Sequence, residues 1–368
     1  MQVPFVDLKA QYNSIKPDID DAIARVINET AFIGGKYVKE FEKQFSELYG
    51  VKQVIACGNG TDSLYILMKM LNIGAGDEVI TVANSWISSS ETISQTSARP
   101  VFVDIHQLYY SIDESKLEAA ITPATKALIA VHLQGQMCEL EAIKTICDKH
   151  GIYLIEDCAQ SHFSEYNGKR AGLTGIAGSF SFYPGKNLGA YGDAGCIITN
   201  DDALAEKCRR YANHGALKKH HHDIEGINSR LDGLQASILL SKLPYILKWT
   251  EQRIQNADLY SKYLQNIPQI ILPVVRPNTK HTWHLYVIRA QRRDELMQFL
   301  KEKNIETAVH YPTALPNLSA YKYLEYTSSQ FPISTQFQSE ILSLPIFPEL
   351  TEEMVAYVST AIKSFYGK

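Results

Sequence analysis

An α/β fold built on a mostly parallel sheet is the prediction, and three observations carry it. Short apolar runs alternate with amphipathic helical stretches from Val51 to Tyr211, the pace of parallel strands joined by crossover helices. The apolar run Tyr153-Leu154-Ile155 ends in a carboxylate, at the strand end where open parallel sheets carry their chemistry. From about Leu243 the pattern changes to longer helices and fewer strands. The expected division is a large α/β domain over 1–242, N-terminal helices included, and a smaller α+β domain over 243–368.

Taken in order, Pro17 with Asp18, Asp20 and Asp21 reads as a helix start, because acids in a first turn complement the helix dipole. That helix is expected over 17–30. Phe32-Ile33-Gly34-Gly35 interrupts it, and a second helix runs from Val38 to Tyr49 with Val38, Phe41, Phe45 and Leu48 on its apolar face. Val51 to Cys57 is a strand. Gly58-Asn59-Gly60-Thr61-Asp62-Ser63 follows, then Leu64, Leu67, Met68 and Leu71 at helical spacing. A strand, a glycine-rich turn and a helix N-terminus make an anion site. The turn nearly matches a dinucleotide fingerprint, but the third glycine is missing and Asp77-Glu78 begins the next strand instead of ending it.

Glu78 to Val82 is a strand, followed by Asn84-Ser85-Trp86 and a helix over 87–97. Trp86 is either core or, at a strand tip, a flat ring for stacking. Strands are expected at 100–104 and 126–132, with helices at 115–121 and 139–150. The stretch 179–183 alternates aromatic and small residues as a buried strand does, and Pro184-Gly185 ends it. A strand at 196–199 and a helix at 201–211 come next. His220, His221 and His222 suggest a metal, but neighbours on an extended chain point to opposite faces. They read as a solvated loop, with a place near the substrate as the alternative, and no metal site is expected. Residues 226–236 cap a long helical region, and from about Leu243 helical sequence runs to Leu264 with a kink or break at Pro244. A strand at 283–290, a helix at 293–303, a strand at 305–311 and helices at 336–342 and 351–365 complete the chain.

The composition is that of an ordinary globular protein, with 368 residues, 45% hydrophobic and 21% charged. A net charge of −4 without a basic tract argues against a nucleic-acid surface. Met1 to Asp7 carries no cationic segment or long apolar run. No secretory leader is expected, and the expected location is the cytoplasm. No stretch approaches the ~20 apolar residues that span a bilayer. The six cysteines form no Cys-x-x-Cys pair, so reduced, mostly buried thiols are expected.

The chemistry centres on Lys186. It follows a buried strand, and Gly185, Gly189, Gly192 and Gly195 surround it, so the backbone there can approach a ligand closely. Taken alone it reads as a solvated lysine. Asp157 upstream changes the balance. An amine and an aspartate near one another are what pyridoxal 5'-phosphate requires, one for its Schiff base and one to keep its pyridine nitrogen protonated.

With these motifs, the chain from Phe5-Val6-Asp7-Leu8 to about Leu344-Pro345 resembles the pyridoxal phosphate-dependent sugar aminotransferases of the DegT/DnrJ/EryC1/StrS family. The resemblance implies a fold-type I transferase, similar to aspartate aminotransferase. It implies an amino group moved from glutamate to a nucleotide-linked keto-sugar by a homodimer with shared active sites. Lys186 and Asp157 are then the catalytic pair. Gly60, Thr61 and Ser181 hold the phosphate, joined by Asn228 of the partner subunit. Trp86 stacks on the ring, and Gln160 meets its hydroxyl side. Tyr183, Arg230, His310 and Tyr311 contact substrate. The related sugar 3-dehydrases carry histidine where this chain has Lys186, which argues against that branch. Residues 181–190 resemble the branch acting at carbon 3 of thymidine-linked 3-keto-6-deoxyhexoses. Residues 228–232 resemble a uridine-linked 3-keto uronic acid branch.

Overall fold

The computed structural model describes residues 1–367. Its centre is a seven-stranded sheet in the order Gln53–Cys57, Gly195–Thr199, Ala177–Ser181, Tyr153–Asp157, Thr125–Val131, Glu78–Val82, Arg99–Val103. Five of these run parallel as neighbours, and Gly195–Thr199 is antiparallel to the strand on each side of it. The mostly parallel α/β sheet predicted above is therefore the observed one. Its strands are buried along nearly their whole length. Helices on both faces require that, and the Val/Ile/Leu runs allow it.

Parallel strands all deliver their C-terminal ends to one edge, and that direction builds the site. Asp157 closes the central strand, with Val131 beside it in register. Ser179 pairs with Asp157 from the other side. The helix Gly60–Met70 begins at the same edge, capped by Asn59, whose side chain accepts from Asp62 N.

Beyond the helix Ile246–Leu264, a three-stranded antiparallel sheet orders Ile270–Ile271, Tyr286–Ala290 and Ile341–Leu344. A second apolar core forms here, and it takes in Val3 from the N-terminus as well as Tyr260, Leu296 and Val358. All six cysteines are buried and unpaired. Among the described residues no helix is long and apolar enough to cross a membrane.

Several element expectations need correction. A helix at Leu8–Ser14 precedes the one at Lys16–Asn28; Asp7 caps it through Ala10 N. The stretch 115–121 splits into a 3-10 turn and the short helix Leu117–Ala120. The strand expected from Trp283 starts at Tyr286. Residues 305–311 form no strand and make only single bridges, at Ile305 to Val3 and at Ala308 to Ser343. The largest miss is 336–342. The helix there is Pro332–Phe337, and Ile341–Leu344 is a strand buried at every residue. A strand buried on both faces shows no alternation, so periodicity does not separate it from a buried helix.

Candidate active site

The strand ends and the helix start enclose a cavity of about 510 Å³. Gly60, Thr61, Trp86, Asp157, Gln160, Ser181, Tyr183, Lys186, His310 and Tyr311 all line it. Asn228 and Arg230 do not; both are exposed on the surface. His220, His221 and His222 are exposed too, with His222 Nδ1 2.8 Å from His214 O.

Lys186 is presented by a tight turn in which its amide donates to Tyr183 O at 2.8 Å. The turn is tight because Gly189 has no side chain: a Cβ there would lie 2.4 Å from Pro184 O. None of the four surrounding glycines uses the left-handed region. Glycine is needed at 189 for space, not for an unusual φ. Burial of the Lys186 amine lowers its pKa from 10.5 to about 8, with the Asp157 carboxylate pulling the other way.

Asp157 and its neighbour Glu156 point to opposite faces of one strand and show opposite outcomes. For Asp157, burial raises the pKa, and the Ala159 amide at 3.1 Å, Lys186 and His132 oppose without reversing it. For Glu156, burial raises too, but His132 and the amides of Gly175 and Gly172 outweigh it. Glu156 accepts from Gly172 N, Thr174 N and Gly175 N, each at 2.7 Å, and from His132 Nε2 at 2.9 Å. Cys138 N lies 3.2 Å from His132 Nδ1, and burial of the ring is outweighed by its partners, which raise its pKa to about 10. His132, Glu156 and Cys158 cluster closely enough to hold an ion, but these bonds already occupy the histidine and the carboxylate. The pair instead pins the end of the strand that carries Asp157. Motif reading did not single it out.

At the helix start that lines the cavity, the Gly60 and Thr61 amides have no acceptor among the described residues. Free amides at the start of an 11-residue helix form an anion site. Thr61 Oγ1 lies 2.7 Å from Ser88 Oγ, and Ser181 Oγ accepts from Tyr183 N. Ser88 lines the cavity as well, and no sequence signal marked it. A Cβ on Gly60 would lie 2.8 Å from Ser181 Cβ, so glycine lets the helix start meet the strand. Trp86 is 59% exposed, an unusual state for tryptophan. It borders Tyr311, centroids 5.9 Å apart. Gln160 accepts from Gln134 N at 2.6 Å and donates to Tyr311 Oη at 3.0 Å, which fixes its amide. His310 Nδ1 lies 2.8 Å from Ser343 Oγ, and burial with the Lys186 charge pushes the ring down to about 4.

The set is thus an anion cradle, an open aromatic face, a buried carboxylate and an amine near neutrality around one cavity. The profile of the DegT/DnrJ/EryC1/StrS aminotransferase family matches residues 13–363. Three curated proteins align over almost the whole chain. A "Pleiotropic regulatory protein" of Geobacillus stearothermophilus is 45% identical, covering 100% of this chain and 99% of its own. The dTDP-3-amino-3,6-dideoxy-alpha-D-galactopyranose transaminase of Aneurinibacillus thermoaerophilus is 42% identical, covering 99% of each. The UDP-2-acetamido-2-deoxy-3-oxo-D-glucuronate aminotransferase of Pseudomonas aeruginosa is 39% identical, covering 98% of this chain and 99% of its own. Among solved structures, S. venezuelae DesV in complex with a ketimine intermediate superposes with a TM-score of 0.97 at 38% identity, over 100% of this chain and 99% of that one. Bacillus subtilis ntda with bound cofactor PMP gives 0.91 at 30% identity, over 100% and 86%. With sequence and fold matched from end to end, the chain belongs to the DegT/DnrJ/EryC1/StrS aminotransferase family.

Proposed function

We propose that this aminotransferase moves an amino group from glutamate to carbon 3 of a dTDP-linked 3-keto-6-deoxyhexose, giving a dTDP-3-amino-3,6-dideoxyhexose. The observation that carries the reading is the amine of Lys186, brought near neutrality by burial, in one cavity with Asp157. The family depends on pyridoxal 5'-phosphate, and the residues present fit that group. Gly60 and Thr61 amides with the Thr61 and Ser181 hydroxyls would hold its phosphate. Trp86 would cover its ring, Gln160 its hydroxyl side, and Asp157 its ring nitrogen. When bound, the cofactor supplies an electron sink for the donor's α-carbon. The Lys186 amine would hold the cofactor's aldehyde carbon, and when free it would move the donor's α-proton.

The sugar assignment rests on two supports. The motif 181–190 resembles the thymidine-linked carbon-3 branch, and a transaminase named for such a sugar is 42% identical. Tyr183, 58% exposed and joined to Lys186 by the turn bond, is well placed to set the pose of the hexose. One ångström of misplacement at the reacting carbon is costly. A second reading, a UDP-linked 3-keto uronic acid, is supported by residues 228–232 and the 39% identical glucuronate enzyme. Incubating thymidine- and uridine-linked keto-sugars with glutamate, followed by carbon-13 NMR, decides. Nitrogen at carbon 3 of the thymidine-linked product is expected. Nitrogen at carbon 4, or turnover of the uronic acid alone, overturns the assignment.

The same reading makes the working unit a homodimer with shared sites. Gly233 N donates to Phe32 O at 2.7 Å, and Ile33 bridges Asp232. That sets the exposed Phe32 and Ile33 against Asp232-Gly233, two residues along the chain from exposed Arg230. Adjoining exposed apolar side chains suit a subunit contact. Mixing an Asn228→Ala/Arg230→Ala protein with a Lys186→Ala protein should restore part of the activity, because a hybrid regains one intact site. No recovery despite demonstrated subunit exchange rules sharing out.

A further inference from the structure

A transaminase must receive two substrates at one amine, and Lys186 also lines a second, smaller chamber of about 260 Å³. It shares Gln160, Tyr183, Lys186, His310 and Tyr311 with the main cavity, and adds Arg253 and His284. Arg253 comes from the helix Ile246–Leu264 and is 3% exposed. Its Nη1 donates to Ile346 O at 2.9 Å and Trp283 O at 3.2 Å. Its Nε is buried without a partner, and among the described residues no carboxylate comes within the 4.0 Å of an ion pair. Burial lowers the guanidinium to about 10, so it stays charged, and Glu349 favours that charge from beyond pairing distance.

A buried guanidinium left unpaired is costly, and its planar fork suits a carboxylate. The other basic groups of the chamber do not compete for that task. His310 is pushed down to about 4, and burial lowers His284 far below its ordinary value. Asn187 donates to Thr282 O at 3.0 Å and turns its oxygen to His284 Nδ1 at 3.2 Å, so Nε2 of that ring carries no proton. Both rings are neutral at pH 7, and Arg253 is the fixed positive charge beside Lys186.

We propose that this chamber receives a carboxylate of the amino-acid donor and that Arg253 anchors it. The proposal rests on the aminotransferase reading above and adds where the donor sits. The sugar nucleotide uses the wider main cavity, so the two substrates share Lys186 and differ in Arg253.

The test uses the holoenzyme and splits the two half-reactions. For Arg253→Gln, kcat/KM for glutamate should fall about 100-fold, chiefly through KM, as expected for one partner of a buried charged pair. The half-reaction of the cofactor-amine form with the keto-sugar should change less than about threefold. Glutarate, a dicarboxylate that cannot react, should shift the cofactor absorbance of the wild type and not of the variant. 4-Aminobutyrate and norvaline, each lacking one carboxylate of glutamate, identify which carboxylate is held: the variant should no longer discriminate against the analogue that lacks it. Equal losses in both half-reactions, or unchanged glutamate kinetics, overturn the proposal. If Arg253→Gln does not fold, Arg253→Lys decides, because it keeps the charge and loses the fork. Its glutamate KM should rise about tenfold with the sugar half-reaction kept, and an unchanged KM overturns the proposal. A wild type that aminates no keto-sugar but still reacts with glutamate refutes the sugar reading and leaves the chamber assignment standing.

Discussion

Lys186→Ala is expected to abolish nitrogen transfer, by about four orders of magnitude or more, while the protein stays folded. In the proposed function one amine would serve as both nucleophile and proton carrier, so its loss would remove two functions together. The fold should tolerate it. Burial is what disfavours the charged amine there, and the turn around it is held by backbone bonds from Lys186 N to Tyr183 O and from Ala190 N to Phe182 O. Thermal unfolding of the cofactor-free variant should match the wild type within a few degrees. The wild type carries a pH signature of the same group. Only the neutral amine attacks an aldehyde, and a pKa near 8 instead of 10.5 makes that form accessible at lower pH. About a tenth is neutral at pH 7. Cofactor capture by the apoprotein, followed by its absorbance, should therefore rise about tenfold from pH 6 to 7 and level off above about 8. Repeated turnovers by Lys186→Ala near the wild-type rate, or capture that climbs unchanged beyond pH 10, would remove Lys186 from its role.

Much of this site was legible because it is built from short contiguous motifs at strand ends. Residues 58–63, 84–86, 157–160 and 181–186 lie far apart in the chain, yet parallel strands bring their C-terminal ends to one edge. His310 and Tyr311 were reached through family resemblance, since nothing in their own pattern points to the cavity. Ser88 is one of three consecutive serines in a helix, and sequence alone does not say which faces inward. The His132–Glu156 pair depends on a cross-strand contact between Thr125–Val131 and Tyr153–Asp157 that no local pattern encodes. Arg253 did leave a trace. The buried face of its helix reads Ile246, Trp249, Thr250, Arg253, Asn256, Ala257, Tyr260, Leu264. An arginine in the middle of an apolar stripe needs a partner, and that oddity is visible before any coordinates. The helix expected over 336–342 overlaps the start of the strand Ile341–Leu344 for the opposite reason: four buried residues in a row carry no period at all.

Asp157→Asn should slow the glutamate half-reaction by roughly 30- to 5,000-fold and leave the cofactor bound. The substitution keeps the shape, and an amide oxygen can still accept from Ala159 N, which lies 3.1 Å from Asp157 Oδ1. What disappears is the charge. Losing one partner of a buried, hydrogen-bonded charge pair costs roughly 2–5 kcal/mol, and that sets the range expected here. The helix-start amides and the Lys186 amine, proposed to hold the cofactor, are untouched by this substitution, so occupancy should persist. A purely structural aspartate predicts a different pattern, and Lys186 separates the two. Burial lowers the lysine and the Asp157 charge opposes it. With asparagine that opposition is gone, so the lysine pKa should fall further and the plateau of cofactor capture should begin at lower pH than in the wild type. A plateau that stays in place, together with unchanged half-reaction kinetics, would mean that Asp157 holds the strand end and not the ring nitrogen.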